Sequence, residues 1–437
     1  MKKLSSSQII VFGFILFIFI GSILLTFPIA TADGEGASFK DALFTATSAM
    51  CVTGLVVKDT ATYWSLFGKT VIILLIQIGG MGVVTAATAL FLLSGKKLGL
   101  RERNLMQYSI SALQVGGIIS HVKFIIKVSV AIELIGAFFL AFVFIPDRGI
   151  MEGSLYAIFH SISAFCNAGF DLMGDREIFS SLTHLSKNIF FNVVIMALII
   201  TGGIGFATWD DIKKHRFNIK KYHLQSKVII ATSLLLTIIP ALYFLFFEFP
   251  MLGLSERILP SLFQSVTCRT AGFNTVDFSV LTETGIFVMI LLMIVGGSPG
   301  STAGGMKTTT LAILIATSIS VFKREKQPHF FGRRIPEESI KNSTALLILY
   351  ITLALFGAFL ISRIEQLPIL SCLFETISAV GTVGLSLGNT PKLTRESCAV
   401  LIFLMFVGRV GGLTLIFSTV NASEALGRLP EEKITVG

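Results

Sequence analysis

The chain has 437 residues, 53% hydrophobic and only 14% charged, with a formal net charge of +9 and a mean hydropathy of +0.81. A soluble protein carries about 25% charged residues, so a water-soluble globular class is excluded. The positive balance reads as membrane topology and not as a nucleic-acid footprint.

Lys2 and Lys3 precede a first apolar span, 8–29. Its start has the outline of a secretory signal: two lysines, an apolar run from Ile9 to Phe27, and Ala30-Thr31-Ala32. The run is longer than a signal core, and the repeat below needs it, so it reads as a retained first helix. A short apolar segment, 39–50, follows and ends at Val52-Thr53-Gly54-Leu55. A second span, 66–93, contains Gly79-Gly80-Met81-Gly82, and Lys96, Lys97, Arg101 and Arg103 come after it.

The same order then recurs. Span 118–145, segment 153–166, Asn167-Ala168-Gly169-Phe170 and span 188–209 with Gly202-Gly203-Ile204-Gly205 make a second unit. Lys213, Lys214, Arg216, Lys220, Lys221 and Lys227 follow it. Span 226–247, segment 256–268, Thr270-Ala271-Gly272-Phe273 and span 284–320 make a third, followed by Lys323, Arg324, Lys326, Arg333, Arg334 and Lys341. Span 343–362, segment 368–380, Thr382-Val383-Gly384-Leu385 and span 396–420 with Gly408-Arg409-Val410-Gly411-Gly412 make a fourth.

The repeat glycines 54, 169, 272 and 384 lie 115, 103 and 112 residues apart. The predicted fold is an all-α polytopic membrane protein of four tandem helix–pore helix–loop–helix repeats around a pseudo-fourfold pore. The repeats cover 8–94, 118–213, 223–322 and 341–420, with a tail at 421–437. The short segments cannot span. They fit re-entrant helices, which are tolerated only in a protein-lined cavity. Ser38, Gly153, Ser255 and Pro368 stand at their outer ends, and each C-terminus would turn its partial negative charge to the centre. Cation-rich loops stay inside, so the N-terminus is expected in the cytoplasm and the glycine motifs open outward.

Three sites carry chemistry. The first is Val52, Thr53, Gly54, Asn167, Ala168, Gly169, Thr270, Ala271, Gly272, Thr382, Val383 and Gly384, a predicted ring of backbone carbonyls that replaces the hydration shell of a potassium ion. Glycine supplies the positive φ that such a loop needs. The second filter, Asn167-Ala168-Gly169-Phe170, departs most from Thr-Val-Gly. The second site is the break Gly296, Gly297, Ser298, Pro299, Gly300, Ser301, Thr302, Ala303, Gly304 and Gly305 in the sixth span, expected below the filter as a movable barrier. Its stretch from Gly300 to Thr308 nearly matches a phosphate-binding loop. Met306 stands where the lysine must be, so the nucleotide reading fails, and Lys307 is expected to cap the inner half-helix or contact an acceptor nearby. The third site is Arg409, a fixed charge in a membrane helix, which makes it a functional candidate.

The glycine pairs of the first two units read as close helix packing. Glu133 is expected to pair with Lys127 or a neighbouring helix, and Glu375 to satisfy donors behind the filter. Asp210 and Asp211 are expected to be solvated. Cys51, Cys166, Cys268, Cys372 and Cys398 show no metal spacing and read as small packed residues.

The combined motifs resemble the ion-translocating subunit of the Trk/Ktr/HKT potassium transporter superfamily. The chain is most similar to the Ktr membrane subunit, over about residues 8–420. The resemblance implies a potassium filter at the four glycines and an intramembrane gating loop at 296–306, with Arg409 facing that gate. It also implies a homodimer in membrane lipid, sodium-stimulated uptake, and a separate cytoplasmic ring of nucleotide-binding regulatory subunits. Some plant relatives favour sodium and carry serine at the first filter glycine, so Gly54 argues for potassium. Two other classes compete. A cation-coupled transporter of another small solute would want a roomy midplane pocket and, usually, inverted repeats. A receptor or scaffold would leave four glycine loops unexplained.

Overall fold

The computed structural model describes residues 5–93, 106, 118–216, 218–250 and 252–419. Most of the polar loop 94–117, with its four cations, and the tail 421–437 lie outside the described residues.

The first helix of each unit is one uninterrupted apolar rod. These are α1 (Ser6–Thr26), α5 (Ile118–Arg148), α9 (Leu224–Phe247) and α13 (Glu337–Glu365). Each is long and apolar enough to cross a bilayer. Exposed Phe, Leu and Ile side chains such as Leu134, Phe138, Ile239 and Phe359 suit a lipid contact. Ser5 starts α1 with a reciprocal cap: its hydroxyl accepts from the Gln8 N–H at 3.2 Å while its own N–H donates to Gln8 Oε1 at 3.0 Å.

The half-length helices are α2 (Phe39–Met50), α6 (Ile150–Phe165), α10 (Leu254–Thr267) and α14 (Ile369–Val380). Ser38 and Pro368 cap the first and last as expected. In the middle two, Gly149 and Gly253 take the cap position instead of Gly153 and Ser255. Gly153 lies inside α6, packed on the backbone of Ile145.

The second helix of every unit is broken, which corrects the expectation that only the sixth span is interrupted. The pairs are α3 (Leu66–Met81) with α4 (Val83–Leu93), α7 (Ile189–Gly203) with α8 (Phe206–His215), α11 (Glu283–Ile294) with α12 (Thr308–Phe322), and α15 (Arg395–Val410) with α16 (Gly412–Thr419). The α7–α8 and α15–α16 pairs bend by 96° and 93°. Gly82, Gly205 and Gly411 share one conformation, φ/ψ of 85/139, 92/139 and 91/129. Only glycine holds that geometry without steric cost, so the same residue type makes the same break three times. In the third unit the break widens into a loop.

The units close into a ring. Within each, the first helix packs on its own half-length helix: α1 on α2, α5 on α6, α9 on α10, α13 on α14. Each second helix then packs on the half-length helix of the next unit: α3 on α6, α7 on α10, α11 on α14, and α15 back on α2. α1 also meets α16, where Gln8 Nε2 donates to the Ser418 carbonyl at 3.1 Å. Between α12 and α13 a hairpin pairs β1 (His329–Phe330) with β2 (Arg333–Arg334). Phe331 and Gly332, both at positive φ, make its turn.

Candidate functional site

The four glycine loops meet at one centre. A Cβ built on Gly54 would stand 2.5 Å from the Ala168 carbonyl oxygen, and one on Gly169 would stand 2.9 Å from that of Ala271. One on Gly272 would stand 2.5 Å from the Val383 oxygen, and Gly384 abuts the Thr53 oxygen. Each glycine thus faces the carbonyl of the residue before the next glycine, in the order 54, 168–169, 271–272, 383–384 and back to 53. Any side chain here would strike backbone, which cannot step aside.

The loop conformation repeats as closely as the order. Gly54, Gly169, Gly272 and Gly384 have φ of 94, 68, 79 and 93°, and the residue two before each is also left-handed: Val52 at 54°, Asn167 at 58°, Thr270 at 63° and Thr382 at 51°. A non-glycine residue in that region costs energy, most of all a β-branched one, and here it happens four times. Surrounding bonds must hold it.

A buried hydroxyl at the end of each half-length helix supplies them, and the sequence reading missed these residues. The Ser48, Ser163 and Ser378 carbonyls accept from Thr53, Ala168 and Val383 N–H, all at 2.8 Å. Ser48 and Ser378 Oγ accept from the glycine N–H at 3.1 and 3.0 Å, and Ser163 Oγ donates to the Phe170 carbonyl at 2.6 Å. The signal was present: Ser-Ala stands six residues before the glycine in three repeats.

The third repeat is irregular at its helix end. Asn167-Ala168-Gly169 follows the common backbone pattern. In the third, α10 stops one residue earlier, Arg269 is inserted, and Thr267 Oγ1 takes over by donating to the Phe273 carbonyl at 2.5 Å. Arg269 is buried and donates to Thr237 Oγ1 at 2.9 Å. Glu375 sits behind the fourth loop as expected, accepting from Ser386 Oγ, Leu387 N and Thr390 Oγ1 at 2.8, 2.9 and 2.5 Å.

The glycine pairs of the broken helices have two effects. Gly79, Gly202 and Gly408 lie against the carbonyls of Met50, Phe165 and Val380, the last residues of α2, α6 and α14, where any Cβ would overlap the oxygen. They let each half-length helix reach the centre. Because the helices stop there, their last carbonyls also lack intrahelical partners.

The segment Gly296–Gly305 takes up the Phe165 carbonyl and carbonyls near the ends of α7 and α15. Its base is pinched by Gly296 N–H to Met306 O at 2.7 Å and Thr308 N–H to Gly297 O at 3.1 Å. Its tip crosses to the second unit, where Ser298 and Thr302 N–H donate to Gly203 and Gly202 O at 2.9 and 3.3 Å, and the Gly300 carbonyl accepts from Phe206 N–H at 2.8 Å. Thr302 Oγ1 reaches the Phe165 carbonyl at 2.9 Å. On the other side Gly305 N–H donates to Gly408 O at 3.2 Å. Gly304 and Gly305 lie directly against Thr382 and Gly381, and Gly296 against Thr270. Pro299 and Ser301 line a cavity together with Arg409. Lys307 stands at the N-cap position of α12 without a side-chain cap bond, and its Nζ contacts an acceptor nearby, the Ala303 carbonyl at 2.8 Å.

Arg409 joins the fourth unit to the rest. Its guanidinium donates to the carbonyls of Thr302 and Gly79, and to that of Gly80 at 3.1 Å. Two cavities flank the site. One of about 120 Å³ is lined by all four ring glycines. The other, of about 330 Å³, is lined by Gly82, Pro299–Ser301, Lys307 and Arg409.

Elsewhere, Glu133 is buried and accepts from Gln77 Nε2 of α3 at 3.0 and 3.1 Å, so its partner is the neighbouring helix and not Lys127. Asp211 is buried and not solvated, held by His223 N–H at 3.0 Å and Ser226 Oγ at 2.6 Å, while Asp210 pairs with Lys214 at 2.6 Å. All five cysteines are buried and free.

The profile of the TrkH cation transport protein family matches residues 4–426. The chain belongs to this family. The potassium/sodium uptake protein NtpJ of Enterococcus hirae is 40% identical over 448 residues, covering 100% of this chain and 98% of that protein. The Ktr system potassium uptake protein B of Bacillus subtilis is 38% identical over 441 residues, covering 100% and 97%. The solved structure of the potassium transporter TrkH from Vibrio parahaemolyticus has the same fold, with a TM-score of 0.73 at 19% identity, over 96% of this chain and 86% of that one. This TrkH-family chain is an all-α polytopic ion transporter of the Trk/Ktr type, as its motifs predict.

Proposed function

We propose that the chain carries potassium inward across the cytoplasmic membrane through the ring at Gly54, Gly169, Gly272 and Gly384, and that the segment 296–306 with Arg409 gates the inner side. The single observation that supports this most is the closed head-to-tail ring of carbonyls. Four loops contributing about two oxygens each replace the hydration shell of a dehydrated cation. The half-length helices add their negative C-terminal ends. The site residues of the ring are Val52–Gly54, Asn167–Gly169, Thr270–Gly272 and Thr382–Gly384. Those of the gate are Gly296–Gly305 and Arg409.

In this reading the four tandem repeats, 8–94, 118–213, 223–322 and 341–420, surround one pathway, with the N-terminus inside and the ring open to the outside. Sodium stimulates uptake, the protein acts as a homodimer, and a nucleotide-binding regulatory subunit ring docks on the cytoplasmic loops. The basic hairpin between α12 and α13 is one such surface. The names of the two relatives, a potassium/sodium and a potassium uptake protein, support the choice of ion.

Purified protein in liposomes, with rubidium and sodium flux measured in parallel, tests this. Rubidium entry driven by an inside-negative potential and well above sodium entry is expected. Equal entry of both, or entry of neither, sinks the proposal.

A further inference from the structure

Two residues beyond each ring glycine stand Val56, Asp171, Asn274 and Ser386, and all four line the 120 Å³ cavity over the carbonyl ring. They form a second ring, made of side chains, and it is not symmetric. One member is apolar, one is an amide, one a hydroxyl and one a carboxylate. Asn274 Oδ1 is engaged by the Val276 N–H at 3.0 Å. Ser386 Oγ donates to Glu375 at 2.8 Å and accepts from Gly388 N–H at 3.0 Å.

Two carboxylates line the cavity, and their situations differ. Asp59 is spent on its own surroundings: Oδ1 accepts from Ala61 N–H, Thr62 N–H and Thr62 Oγ1, each at 3.0 Å, and Oδ2 from Phe179 N–H at 3.2 Å. Asp171 accepts the Met173 N–H at 2.9 Å on Oδ1 and has the Ser181 hydroxyl as a further partner, which still leaves acceptor capacity on its two oxygens. No lysine or arginine is among the lining residues.

We infer that the side-chain ring is a recruitment site for a monovalent cation, in which Asp171 draws a still-hydrated ion to the mouth before the backbone ring strips its water. The inference rests on the filter reading above. A narrow cleft with low-dielectric walls and one sign of charge concentrates counter-ions far more than the same charge on an open surface. One carboxylate, with no further anionic ligand in the ring, attracts the ion without trapping it, which conduction requires.

The charged groups around Asp171 are Asp59, from the loop after α2, and Asp175, on its own loop. The third and fourth units line the cavity with no ionisable side chain. Burial above all pushes the Asp171 carboxyl up, to about 6. The Met173 N–H and the Ser181 hydroxyl oppose the rise, and Asp59 and Asp175 add to it. The mouth therefore loses this charge as external pH falls through that value.

The experiment is rubidium uptake into proteoliposomes, with apparent KM and Vmax followed from about pH 7.5 to about pH 5. Wild-type KM should rise by about threefold or more on acidification while Vmax holds. Asp171→Asn should have the raised KM already at the higher pH and no further rise, and added impermeant salt should narrow its gap to wild type. Asp171→Glu should restore the low KM. The rubidium-to-sodium preference of Asp171→Asn should match wild type, which separates this site from the filter. A wild-type KM flat across the range overturns the inference, as does wild-type KM in Asp171→Asn. Should that variant not assemble, the wild-type titration decides alone. Loss of the filter reading would show instead in glycine variants that leave ion preference unchanged.

Discussion

Arg409 donates to the carbonyl of Thr302, 107 positions away in sequence. The same guanidinium holds Gly79 and Gly80 at the end of α3. One side chain of the last unit therefore ties the loop of the third to the broken helix of the first. A planar fork with five donors suits three carbonyls at once, and an ammonium does not.

Replacing Arg409 should open the pathway. Arg409→Ala removes three hydrogen bonds from a charged donor, each worth about 1.5–3 kcal/mol, and frees the loop on that side. Rubidium flux should rise several-fold while thermal stability falls. Arg409→Lys should lie between the two. Abolished flux in well-folded Arg409→Ala would show that the guanidinium is not a barrier.

Shortening the loop within 298–304 should act in the same direction. The tip bonds to the Gly202 and Gly203 carbonyls are lost, but the base between Gly296 and Met306 remains. Flux should increase, and the combination with Arg409→Ala should add little, because both remove one barrier. Strictly additive effects would separate the two elements.

Gly272→Ser and Gly384→Ser should weaken discrimination. Each adds a side chain at positive φ against a neighbouring carbonyl or Cα, forcing the ring to spread. The potassium-over-sodium preference should drop by about tenfold, equivalent to roughly 1.4 kcal/mol. Unchanged preference in both would remove these glycines from the filter.

Ser48→Ala and Ser378→Ala should each cost about 1 kcal/mol of stability by leaving a buried glycine N–H without its acceptor. Both hold a β-branched residue, Val52 or Thr382, in the left-handed region, so ion preference should fall as well. Thermal unfolding and competition flux measured on the same preparations check the pair. A loss of stability with full preference retained would make these serines structural only.

Much of this was legible before any coordinates. The half-length segments were visible because 12 to 14 residues cannot cross a bilayer, and the ring glycines were visible because the same motif recurs four times. Other features were not. Gly82 and Gly205 read as packing residues, since a glycine in a membrane helix tolerates either outcome. Asp211 looked solvated because its partners His223 and Ser226 lie beyond an intervening basic stretch. Ser48, Ser163 and Ser378 carried a readable spacing, but their role depends on where the loop turns.

Repetition and hydropathy by themselves determined the class, the four units, the short re-entrant helices and the glycines at their ends, because these are local consequences of segment length and of φ. Only the folded chain decided that each second helix breaks, that Gly54 faces Ala168 and Gly384 faces Thr53, and which carbonyls Arg409 holds. The ring contacts and the Arg409 bonds join residues more than a hundred positions apart, and they exist because the last helix returns to pack on the first unit and closes the circle.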